Sequence, residues 1–176
     1  MADENLFAVM VGGSIDGAQI ELHDVRFVIG ETIEDCFDDL RAQWWGTPKS
    51  LHIDAWGALQ WADGYRIDLV PEPAPQSEKL WFVNLGGYDP DQFDELHYNT
   101  FVVAPDARAA KKRALDEMPK WKSPHRDTVY EVDGIIDVLA SATEISDRAA
   151  VHIRLTADEE QRRFKFETRY WPIGKQ

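Results

Sequence analysis

The chain has 176 residues, 44% of them hydrophobic, with seven Trp and eight Phe, which is enough apolar material for a substantial core in one or two domains. Its 32 acidic residues outnumber 19 basic ones, and a formal net charge of −13 sets it against nucleic-acid backbones and anionic membranes as partners. No apolar run approaches the ~20 residues of a membrane helix, the stretch Met1 to Asn5 lacks a signal peptide's basic start and apolar run, and Cys36 has no second cysteine to pair with. A soluble, cytoplasmic protein is expected.

Taken in order, the apolar run Leu6 to Val11 ends at Gly12-Gly13 and predicts a buried strand that leaves its sheet at the glycines. Ile15-Asp16-Gly17 signals a turn, and Val25 to Ile29 a second strand. Thr32 followed by Asp35 is a variant capping box. It opens a helix on which Ile33, Cys36, Phe37, Leu40 and Trp44 share one face. Cys36 therefore belongs to the core, and its neighbours Glu34 and Asp35 make it a poor nucleophile. Leu59 to Trp61 and Tyr65 to Ile67 flank Asp63-Gly64, the dipeptide of a type I′ hairpin turn. Pro71-Glu72-Pro73-Ala74-Pro75 reads as a stiff linker.

The pattern then recurs. Leu6 to Gly13 reappears as Leu80 to Gly87, Glu21-Leu22-His23 as Glu95-Leu96-His97, and Phe27-Val28-Ile29 as Phe101-Val102-Val103, each at an offset of 74 (12 to 86). Lys49 to Asp54 meets Lys122 to Asp127 at an offset of 73 (52 to 125), and Asp63-Gly64 meets Asp133-Gly134 at 70 (63 to 133). Asp106 takes the cap position of a second helix with Ala107, Ala110, Ala114 and Met118 as its stripe. Asp133-Gly134 between Val129-Tyr130 and Ile135-Ile136 predicts a second hairpin, and Val151 to Leu155 with Phe164 to Tyr170 a last one that has no counterpart. The expected architecture is α+β. It is a tandem duplication of a ββαββ unit with pseudo-two-fold symmetry, plus a C-terminal β-hairpin that caps a sheet edge or pairs with another chain. The boundaries are residues 5–70, a linker at 71–79, residues 80–145, and an extension at 146–176, with the two units free to share one core.

The first Gly-Gly, the stretch Glu21 to Gly30 and Leu51-His52-Ile53-Asp54 are similar to an uncharacterised bacterial family, the domain of unknown function numbered fifteen-forty-three. The resemblance covers the first unit well and the second more loosely, because Tyr98 follows His97 where Asp24 follows His23. It implies a bacterial domain and no activity.

Four of the five histidines fall at repeated positions, each with an acid two residues away: Glu21 with His23, His52 with Asp54, Glu95 with His97, and His125 with Asp127. On a strand, residues i and i+2 share a face. Two such pairs meeting within a unit offer two imidazoles and two carboxylates, a set for Zn²⁺, Mn²⁺ or Fe²⁺ or for acid–base work by an oriented His; Asp24 joins the catalytic candidates. The competing reading, that each carboxylate pins its histidine structurally, carries the greater weight. The glycine pairs do not form a phosphate loop, since no helix follows them directly. Trp44 reads as core, and core is also the default for Trp56 and Trp61, although they sit on a hairpin where an exposed tryptophan would mark an interface. Acids at Glu31, Glu34, Asp35, Asp38 and Asp39 on one helix oppose Arg108, Lys111, Lys112 and Arg113 on the other. Two functions stay open. The first is a non-catalytic binding or assembly module with a homodimeric or other protein partner; the alternative is a metal-dependent or acid–base enzyme.

Overall fold

The computed structural model describes residues 4–117, 132–144 and 151–175. The fold is mixed α+β, and the chain divides into two compact units, Met1–Pro75 with Leu139–Gln176, and Gln76–Val138. In the first unit β1 (Asn5–Gly13), β2 (Leu22–Gly30), α1 (Phe37–Gln43), β3 (His52–Ala58), β4 (Trp61–Ala62) and β5 (Tyr65–Val70) follow one another. The second unit holds β6 (Lys79–Tyr88), β7 (Glu95–Ala104), α2 (Ala107–Glu117) and β8 (Val132–Asp137). Then α3 (Val138–Thr143) leads the chain back, and β9 (His152–Ala157) and β10 (Glu167–Pro172) complete the first unit.

Among the described residues three antiparallel sheets result, ordered β10-β3-β1-β2, β4-β5-β9 and β7-β6-β8. In the first, β1 is flanked on both sides, with Gly12 opposite His23 of β2 and opposite His52 of β3. Alternation places Phe7, Val9 and Val11 on the face that packs with Ile33, Cys36 and Leu40 of the helical segment. Before α1, Thr32 and Asp35 close the expected capping box. The Thr32 backbone N–H donates to Asp35 Oδ2 at 2.9 Å, and the Asp35 N–H donates back to Thr32 Oγ1 at 3.4 Å. In the second unit the Asp106 carboxylate accepts from the Ala109 N–H at 2.8 Å, and Ala110 and Ala114 are fully buried under α2. The Asp63-Gly64 turn forms as expected, with φ angles of 51° and 75°.

Gly13 is the last residue of β1, as expected, and both glycine pairs stay paired, to β2 and β7. Gly86-Gly87 does not end its strand, since Tyr88 follows within β6. Asp133-Gly134 is also not a turn, because it lies within β8, where Asn84 pairs with Gly134 and Leu85 with Val132, leaving Asp133 as the bulged residue. The matching irregularity in the first sheet pairs Val11 with Ile53 and Met10 with Ala55, so Asp54 is the bulged residue there. By register Asp133 holds in β8 the bulge position that Asp54 holds in β3. The residues His125, Asp127, Met118, Trp121, Val129 and Tyr130 lie outside those described.

The last two strands do not form a hairpin with each other. β9 pairs with β5 and β10 with β3, so β10 covers the edge that β3 would otherwise expose. Trp56 belongs to the core, Trp61 is half-buried, and among the described residues the exposed tryptophan is Trp45. Among the described residues no helix is long and apolar enough to cross a membrane.

Two consequences follow for stability. Asp35→Ala removes the reciprocal cap and is expected to cost about 1 kcal/mol, read as a lowered denaturation midpoint. After β9, the buried Asp158 accepts from the Arg162 Nη2 and backbone N–H, both at 2.7 Å. Its own N–H donates to the Gly64 carbonyl at 2.8 Å, tying this turn to the β4–β5 turn. Hydrogen bonding by Arg162 holds the Asp158 carboxyl below the usual carboxylate range. A lowered folded-state value means that the contribution is present above the ordinary carboxylate range and is lost as pH falls through the lowered one. Asp158→Asn should therefore flatten the acid limb of a plot of melting temperature against pH, and an unchanged limb would contradict the assignment.

Candidate functional site

On the sheet face opposite α1, at the Gly12 end of β1, the two acid–histidine pairs of the first unit meet. His23 Nε2 lies 3.7 Å from Glu21 Oε2 and 3.3 Å from Asp54 Oδ2. His52 Nε2 lies 3.4 Å from Glu21 Oε1 and 3.5 Å from the same Asp54 oxygen. Donor atoms of Glu21, His23 and His52 fall within 4.8 Å of one another.

Three backbone features produce this. First, Gly12 has no side chain. A Cβ there would stand 2.6 Å from His52 Nε2, 2.8 Å from Asp54 Oδ2 and 2.9 Å from His23 Cδ2, so only glycine leaves room for the groups of both flanking strands to converge. Second, the bulge at Asp54 lets His52 and Asp54 serve the site while returning Trp56 to the helix-side core beside Leu51 and Ile53. Third, β10 skips from Thr168 opposite Ala55 to Trp171 opposite Ile53. Tyr170 within that skip sets its ring 4.5 Å from the His52 ring.

His52 is 1% exposed, and its Nδ1 lies 2.9 Å from the Ser50 carbonyl oxygen. A carbonyl only accepts, so Nδ1 carries hydrogen and donates. That carbonyl is itself held, because the Ser50 hydroxyl accepts from the Ser14 N–H at 2.8 Å and donates to the Thr47 carbonyl at 2.8 Å. His52 Nε2 is left aimed at Glu21 and Asp54. Both His52 Nε2 and Asp54 Oδ2 are buried with no hydrogen-bond partner. A lone pair facing two carboxylates is repulsive, so either Nε2 carries a proton or a cation lies between them.

The separations discriminate between a proton and a metal. A charge-assisted N–H···O⁻ bond closes to about 2.7–2.9 Å. A tetrahedron with metal–donor bonds of ~2.1 Å has edges of about 3.4 Å. The four distances here run from 3.3 to 3.7 Å, too long for the first and close to the second, with Glu21 presenting Oε2 to His23 and Oε1 to His52. Two neutral imidazoles and two carboxylates also balance the charge of one divalent ion.

Asp24 stands apart from the cluster, paired instead with Arg26 at 2.6 Å and reached by Trp45 Nε1 at 3.4 Å. In the second unit His97 Nε2 is 4.0 Å from Glu95, and its Nδ1 is 3.3 Å from Asn84 Oδ1, whose amide donates to Asn99 at 2.6 Å. β8 contains no histidine, so no described residue repeats the role of His52. Gly12, Ser50 and Tyr170 were not singled out from sequence as site residues, though a glycine inside an apolar run is a visible sign of close approach.

Gly12→Ala is expected to leave the sheet paired and to push His52 and Asp54 off their positions. Long-range ¹H–¹⁵N spectra should show the His52 Nδ1–H in the native chain and lose it in the variant; an unchanged His52 signal would contradict this role for Gly12.

Residues 18–69 match the family described as Domain of Unknown Function (DUF1543), and the match lies wholly within the first unit. No curated protein matches the chain. Among solved structures, a protein Il1583 from Idiomarina loihiensis is similar at 34% identity and a TM-score of 0.68, over 98% of this chain and 100% of that one. The matched segment carries Glu21, His23, His52 and Asp54, and the chain belongs to the DUF1543 family.

Proposed function

We propose that this protein is a divalent-metal-binding protein, with Glu21, His23, His52 and Asp54 of the first unit as the ligands. The observation that carries the reading is the buried His52 Nε2, oriented by the Ser50 carbonyl so that it faces two carboxylates at 3.4 and 3.5 Å. Donation of the opposite ring nitrogen to a backbone carbonyl is the usual companion of a ligating histidine. Mixed nitrogen and oxygen donors in a four-fold arrangement suit Zn²⁺ first, with Mn²⁺ and Fe²⁺ as alternatives.

Four protein ligands fill a tetrahedron, which favours holding a metal over running a reaction on it. This joins the two expectations drawn from sequence: the protein acts as a binding module, and what it binds is the ion. Metal-dependent catalysis requires a free coordination position, and its support is narrower. It rests on Glu21 and His23, which are 44% and 50% exposed and so could give way to a substrate. The assembly reading rests on exposed aromatic side chains such as Trp45 and Phe93 alone. The two-unit plan of strand, strand, helix, strand, with bulges at Asp54 and Asp133, supports descent from a duplicated ββαβ element.

Protein purified without a chelating tag should carry close to one zinc, manganese or iron per cluster by elemental analysis. His52→Ala should lower metal affinity by more than the ~10–100-fold that loss of an outer partner costs. Binding should weaken as pH falls, because protons compete for the same donors. A native chain that takes up no metal under calorimetric titration, and whose His52→Ala variant changes only in stability, would overturn the reading.

A further inference from the structure

The two halves of the cluster differ in access. His52 is 1% exposed, the Tyr170 ring lies 4.5 Å from its ring, and Asp54 Oδ2 is buried. Glu21 and His23 are 44% and 50% exposed, and both belong to the same short stretch that enters β2. An ion held by this set has its back to the protein and its front covered only by two side chains that solvent already reaches. Glu21 is the one more easily displaced, as it precedes the strand and carries the more flexible side chain.

We propose that the ion enters and leaves by associative exchange at this exposed side, so that it passes directly to a chelating acceptor and not through the free aqueous ion. In the step, a lone pair of the acceptor's donor atom forms a bond to the metal, and the metal–Glu21 oxygen bond then breaks, Glu21 keeping its pair as carboxylate. His23 follows in the same way, and the buried His52 and the half-buried Asp54, whose Oδ2 is turned inward, release last. No electron is transferred and no proton is required. The acceptor is recognised by its chemistry, which is two or more imine, imidazole or thiolate donors that can approach the Glu21–His23 side together. The inference rests on the metal-binding reading above.

The test uses the full chain loaded with Co²⁺, whose visible absorption reports four-fold coordination and therefore loading. Loaded protein is mixed with increasing excess of terpyridine, a neutral chelator chosen so that the chain's charge of −13 does not steer it. The absorption should decay at a rate that rises in proportion to terpyridine concentration. A rate that is the same at every concentration would mean that the ion first escapes to water, and would overturn the exchange mechanism while leaving the metal site standing. Failure to load Co²⁺ at all would overturn the metal site itself, and the exchange mechanism with it.

Discussion

Everything about the candidate site depends on a missing side chain. β1 is hydrogen-bonded on both sides, so a residue in it faces groups from two neighbours at once, and at Gly12 those groups are His23 on one flank and His52 with Asp54 on the other. Any Cβ would collide with three of the four polar groups. Glycine costs a strand some stability by its entropy, and that cost is tolerated where backbone and side chains must approach closely.

Beside the glycine, the bulge resolves a conflict of phase. A regular β3 would put Leu51, Ile53 and Ala55 on the core face and Trp56 on the other. The extra residue at Asp54 keeps His52 and Asp54 with the cluster, yet returns the large Trp56 to the helix-side core with Val9 and Ile53. Packing and site are thus satisfied by one irregularity. The hydrogen bonds among Ser14, Thr47 and Ser50 then fix the carbonyl that fixes the His52 ring. Orientation is built from the backbone outward, which keeps the buried nitrogen aimed at its target without a second carboxylate behind it.

What the sequence made legible was local. The Thr32–Asp35 box, the Asp106 cap and the Asp63-Gly64 turn form because each is decided by residues within a few positions of one another. The acid–histidine pairs were also legible, since i and i+2 on a strand share a face wherever that strand goes. Pairing across the chain was not legible. Asp133-Gly134 has the composition of a turn but sits in a strand against β6, where the bulge and not the dipeptide governs its conformation. Phe164 to Tyr170 reads as one arm of a hairpin, yet its partner is β3, more than a hundred residues earlier in the chain. Turn chemistry sets where a strand ends and says little about which strand it joins.

The account's central claim is that one ion occupies the space among four named donor atoms. Anomalous diffraction at the zinc absorption edge, from crystals of the zinc-loaded protein, tests it directly. The account predicts a single strong peak in the first unit, about 2.0–2.2 Å from His23 Nε2, His52 Nε2 and one oxygen each of Glu21 and Asp54. A peak elsewhere, or no peak with His52 Nε2 closing on a carboxylate to hydrogen-bond distance, would contradict it and return the cluster to a purely structural role.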